Sequence, residues 1–84
     1  MVYYLIICHS LTSAQRTASV LEQAGISANV LRTPTSIAGK GCSYAVKLSQ
    51  RRLPDALVLL KRAQLEPRRV YLSTVEGGYE EARL

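Results

Sequence analysis

Two cysteines and a single histidine are the side chains of this 84-residue chain best suited to nucleophilic or metal chemistry. Cys42 sits in Lys40-Gly41-Cys42-Ser43-Tyr44, where glycine-rich backbone gives way to an apolar strand. Glycine lets backbone amides approach a sulfur closely, and a thiol on a loop meets solvent more readily than one in a core. Cys8 ends the apolar run Val2 to Cys8 and is followed at once by His9. A thiolate is the reactive form of cysteine. It is favoured by a helix N-terminus, by cations such as His9 or Lys40, and by amides such as that of Gly41. On this reading Cys42 is the candidate nucleophile and Cys8 a candidate resolving or neighbouring thiol. The plainer reading of Cys8 is a small buried hydrophobe. Cys8, His9 and Cys42 lack the short-interval pairs of a zinc knuckle, so no metal is expected, and no cofactor is implied. The acids are scattered without a His-Asp pairing, and Gly39-Lys40-Gly41 is too short for a phosphate-binding loop.

The elements that must position these residues follow from patterning. Val2 to Cys8 is β-branched, aromatic and apolar, as suits a central strand. His9 to Ser13 is rich in helix-capping types. Ser10, Thr12 and Ser13 are cap candidates, with anion binding at the same amides as the sharper alternative. Thr12 with Gln15 fits a capping box, and Leu11, Ala14, Ala18 and Leu21 recur at helical spacing. A helix is expected from about Ser13 to Ala24, stopped by Gly25. Ser27 to Thr33 reads as a second strand, ended by Pro34. Ser43 to Leu48 reads as a third, with Tyr44, Val46 and Leu48 on one face. Leu53-Pro54-Asp55 opens a second helix whose inner stripe is Leu57, Leu60 and Ala63 or Gln64. Arg68 to Thr74 is the last strand, and residues 77–84 read as a polar tail on a single domain of residues 1–76.

The order βαββαβ closes most economically as a ferredoxin-like split unit, an α+β fold with a four-stranded antiparallel sheet and two helices on one face. Strand 1 then lies beside strand 3, running the opposite way. The end of strand 1 meets the start of strand 3, which brings Cys8 and His9 towards Cys42 with the first helix N-terminus at the same edge.

Composition sets the frame. With 48% hydrophobic residues but neither Phe nor Trp, the chain makes one small domain with a thin core, for which a homodimer is a reasonable default. The first apolar run lacks a basic leader and is far shorter than the roughly 20 residues of a membrane span, so a cytoplasmic protein is expected. In that compartment a permanent disulfide is not expected. The net charge of +5 is uneven, with Arg51, Arg52, Lys61, Arg62, Arg68 and Arg69 all in the second half. Pairs at element ends read more readily as solvated flanks than as one anion-binding stripe.

Tyr4-Leu5-Ile6, Ser10 and Thr12 at a helix start, Ala24-Gly25-Ile26, Thr33-Pro34, Ile37 and Gly41-Cys42 span nearly the whole chain. In these the chain resembles the Se/S carrier protein-like family of short bacterial proteins. The resemblance implies that Cys42 is a carrier thiol that accepts sulfur or selenium as a persulfide or selenopersulfide and hands it on. It implies a donor such as a cysteine desulfurase and an acceptor protein as partners, and a carrier rather than an enzyme in the strict sense. The family's commoner pattern has Arg where this chain has Thr35, and Gly where it has Ser43. Lys40 is the cation nearest in sequence to stand in for that Arg.

Two rivals share the element order. Lys40-Gly41-Cys42-Ser43-Tyr44 and Val2-Tyr3 echo the two aromatic motifs of RNA-recognition domains. The third residue of the first motif is Cys42 rather than an aromatic, and the apolar face of Tyr44, Val46 and Leu48 should point Tyr44 at the helices. Nucleic acid therefore ranks below thiol carriage. A small interaction module with an open sheet face is the other alternative.

Overall fold

The computed structural model describes residues 2–34, 37, 43–65, 67, 69–74 and 76–82. Within them run β1 (Tyr3–Cys8), α1 (Leu11–Gln23), β2 (Asn29–Arg32), β3 (Tyr44–Ser49), a 3-10 turn (Gln50–Arg52) that leads into α2 (Leu53–Arg62), β4 (Arg69–Ser73) and β5 (Tyr79–Glu81). The strands form one sheet in the order β2-β3-β1-β4-β5, with every neighbouring pair antiparallel. The fold is therefore α+β, and β1 lies beside β3 as expected.

The expectation of four strands is corrected to five. β5 is built from residues read as tail, because a tight turn doubles the chain back on β4. The Thr74 amide donates to the Gly78 carbonyl at 2.8 Å, and the Gly78 amide donates to the Thr74 hydroxyl at 3.0 Å. Gly77 supplies the positive φ of +89° that the turn requires. Three residues with two adjacent glutamates carry no strand signal of their own, so pairing to β4 decides them.

Both helices are set by their ends. Ser10, not Thr12, caps α1: its backbone is extended and its hydroxyl accepts from the Ser13 amide at 3.1 Å, so the helix starts at Leu11. At the other end Gly25 at φ +84° lets the Ile26 amide return to the Leu21 carbonyl at 2.9 Å. α2 closes the same way, with the Leu65 amide bonded to the Leu60 carbonyl at 2.8 Å. There the positive-φ position is held by Gln64, at +59°.

The core lies between the helices and one face of the sheet. Ala14, Ala18 and Leu21 of α1 and Leu53, Ala56 and Leu60 of α2 pack with Ile6, Cys8, Val46, Leu48 and Val70. The buried stripe of α2 is thus rotated from the expected one, with Leu57 half-buried and Ala63 and Gln64 exposed. Tyr44 packs against this cluster, as the alternation of β3 requires. Leu5 and Ala45 point to the opposite face and are nonetheless 0% exposed. Leu5 is flanked across the two pairings by Lys47 and Tyr71.

The two helix ends predict opposite responses to substitution. Gln64→Gly should raise stability by about 1 kcal/mol, the cost of a left-handed non-glycine residue, whereas Gly25→Ala should lower it by about as much. A Cβ at Gly25 meets nothing within 4 Å, so its cost is conformational rather than steric. Urea denaturation of the two variants checks the opposite signs.

Candidate functional site

A cleft of about 520 Å³ opens where β1 ends, α1 begins, β3 begins and the chain turns from α2 into β4. Cys8 and His9 line it from β1, Ser13 and Thr17 from α1, and Ser43 from the approach to β3. Gln64, Leu65, Pro67 and Arg69 close the far side. Register brings these elements together: Cys8 stands opposite Tyr44 on β3, and Ile7 opposite Arg69 on β4.

Of the residues singled out from sequence, Cys8, His9 and Ser10 meet at this end of β1. Cys8 is buried, with its sulfur 3.8 Å from the Ile6 carbonyl and 4.0 Å from the Thr17 hydroxyl. Burial pushes its thiol up from the ordinary value of 9.0, and the smaller pull of the Thr17 and Ser13 hydroxyls does not reverse this. At neutral pH Cys8 is a thiol, not a thiolate. His9 is exposed at the cleft, while the side-chain oxygen of Ser10 is engaged in capping α1. Lys40, Gly41 and Cys42 lie outside the described residues.

The Thr33 amide donates to the Ser43 carbonyl at 3.0 Å, which ties the chain before residues 34–42 to the chain after them. The Thr33 hydroxyl is buried with no hydrogen-bond partner among the described residues.

Arg69 and Gln64 are the cleft residues that the sequence reading missed. Arg69 belongs to a basic pair read as a solvated flank, and pairing with Ile7 turns it into a cation beside the thiol end of β1. The signal for Gln64 is its place just after a helix end, where glycine is usual. A non-glycine residue at a positive φ in a cleft marks local strain at a candidate site.

Residues 3–72 match the family model described as Putative Se/S carrier protein-like. The chain belongs to this family. Curated proteins and solved structures yield no match. Among the described residues no helix is long and apolar enough to cross a membrane.

The environment of Cys8 sets a pH dependence. Its folded-state value is raised, so its contribution to stability is fully present below its ordinary value of 9.0 and lost as pH rises through the higher folded value. Cys8→Ala should cost roughly 1 kcal/mol at neutral pH, the scale of one buried methylene-sized group. The difference from wild type should shrink above pH 9.0. Urea denaturation at neutral and alkaline pH, wild type against Cys8→Ala, measures both.

Proposed function

We propose that this protein carries sulfur or selenium on the thiol of Cys42. The observation that carries the reading is the cleft at the end of β1: Ser43, the next residue in sequence, opens on a space shared with His9 and Arg69. Family membership supplies the class of chemistry. A carrier needs an accessible thiolate with cations near it, and no deep pocket.

The transfer balances without an added oxidant. The Cys42 thiolate attacks the terminal sulfane sulfur of a donor persulfide, the donor's S–S bond breaks, and the donor cysteine leaves as a thiolate. Cys42 then bears the persulfide, and an acceptor nucleophile takes the same terminal atom, returning the Cys42 thiolate. The donor on this reading is a cysteine desulfurase or the selenium equivalent, the acceptor is a second protein, and the setting is the reducing cytoplasm. His9, Lys40 and the Gly41 amide favour the charged sulfur, and Arg69 joins them as a cation of the cleft. Cys8 serves as the neighbouring thiol. Attack by Cys8 on the inner sulfur would discharge the carrier as a disulfide and sulfide, and a buried thiol with a raised pKa resists that attack. The scaffold on this reading is a ferredoxin-like split unit with β5 added beside β4.

Mass spectrometry after incubation with a cysteine desulfurase and cysteine tests the assignment. A gain of one sulfur in wild type and in Cys8→Ala, absent in Cys42→Ser, is the expected result; the same gain in Cys42→Ser would sink it. In the Cys8→Ala background, iodoacetamide labelling should show an inflection below that of an ordinary free cysteine thiol. An inflection at or above that value would remove the case for an activated thiol.

A further inference from the structure

The sheet face turned away from the helices carries a group of side chains that thiol carriage does not use. Tyr3 of β1, Tyr71 of β4 and Tyr79 of β5 all project from it, each half-buried. Tyr3 and Tyr79 stand on either side of the small Ser73, and their hydroxyls meet at 3.2 Å above it. The Lys47 ammonium lies 4.4 Å from the centre of the Tyr3 ring. Tyr71 stands opposite Leu5, two residues along β1 from Tyr3. That is a diagonal sheet spacing of about 7–8 Å. The floor between the rings is apolar and closed, since Leu5 is fully buried beneath them.

Cations flank this platform at both ends. At the Tyr3 end a second cleft, of about 410 Å³, is lined by Lys47, Arg52 and Asn29. At the other end Arg69 is exposed beside Tyr71, where the face meets the thiol cleft. Glu81, opposite Tyr71 on the edge strand, is an acid on this face. Half-buried rings on a rigid sheet, with positive charge at either end and a chain of net charge +5, complement a polyanion whose flat bases are free to stack. A duplex hides those flat surfaces, whereas a single strand presents them.

We propose that the open sheet face binds single-stranded nucleic acid, with bases stacked on Tyr3 and Tyr71 and phosphates held by Lys47, Arg52 and Arg69. RNA ranked low because Cys42 stands where an aromatic is needed and because Tyr44 should face the helices, and Tyr44 does face them. The rings that matter come instead from β1, β4 and β5, and they assemble only when those strands pair. Tyr79 holds the Tyr3 ring through its hydroxyl, a positioning role that gives β5 a purpose. The contacts are to base faces and phosphates, so binding is tolerant of sequence.

Fluorescence anisotropy of the full chain with a labelled single strand of about 12 nucleotides, as RNA and as DNA, tests this within the range of known site sizes. Binding should weaken with salt, with a log–log slope of about −0.7 for each phosphate contact. Lys47→Gln with Arg52→Gln should flatten that slope by about 1.4, two contacts' worth. Tyr3→Leu and Tyr71→Leu should each weaken binding at least about fivefold, whereas Tyr3→Phe keeps the ring but loses the Tyr79 bond that positions it and should weaken binding less than Tyr3→Leu. Circular dichroism confirms that each variant is folded, and Tyr71→Leu stands alone if Tyr3→Leu is not. No salt-sensitive binding, a duplex bound as tightly as a single strand, or undiminished affinity in the folded leucine variants would overturn the proposal. So would sedimentation showing that a second copy covers this face and that the oligonucleotide does not displace it.

Discussion

The position of β1 between β3 and β4 is the constraint on which the rest of the structure depends. An inner strand bonded on both edges has its register settled twice over, and a slip of one residue would exchange its two faces. Tyr4, Ile6 and Cys8 are thereby committed to the helix side, and Tyr3, Leu5 and Ile7 to the open side. Each face then acquires its neighbours from strands distant in sequence. On one side this produces the core against α1 and α2. On the other it produces the row of tyrosines.

The same register builds the cleft. Because β1 runs antiparallel to both neighbours, its C-terminal end meets the N-terminal ends of β3 and β4. A buried thiol and an exposed histidine at the end of β1 are drawn together with an arginine of β4. Their environments differ in kind. Cys8 is enclosed well enough that burial outweighs the hydroxyls of Thr17 and Ser13 and keeps the sulfur neutral. His9 and Arg69 are exposed at the rim.

The cleft and the tyrosine face adjoin at Ile7, Arg69 and Tyr71, which belong to both. Such economy is forced on a chain this small. Its volume is spent on one thin core, and functional surface must be made from the outer sides of the same strands. β5 extends that surface at little cost, since a three-residue edge strand needs only the Thr74 to Gly78 turn and the β4 edge. Its two glutamates also leave the outer edge poorly suited to pairing with another sheet.

Local sequence determined the parts of the protein that local chemistry governs. The apolar run ending at Cys8, the helix closed by Gly25, the proline that opens α2 and the alternation that turns Tyr44 inward are all legible from neighbouring residues, because caps, turns and periodicity act over a few positions. The element order and right-handed connections also sufficed to place β1 beside β3. The cap at Ser10 rather than Thr12, the rotated stripe of α2 and the fifth strand were not legible, since each was chosen among local options of similar energy by what the element packs against. The cleft arginine and the shared tyrosine face lay further still from view. Arg69, Tyr71 and Tyr79 are ordinary surface residues in the sequence, and only pairing of β4 with β1 and β5 gives them partners, because nothing in a one-dimensional chain encodes which distant strand edge a hydrogen-bonding strand will find.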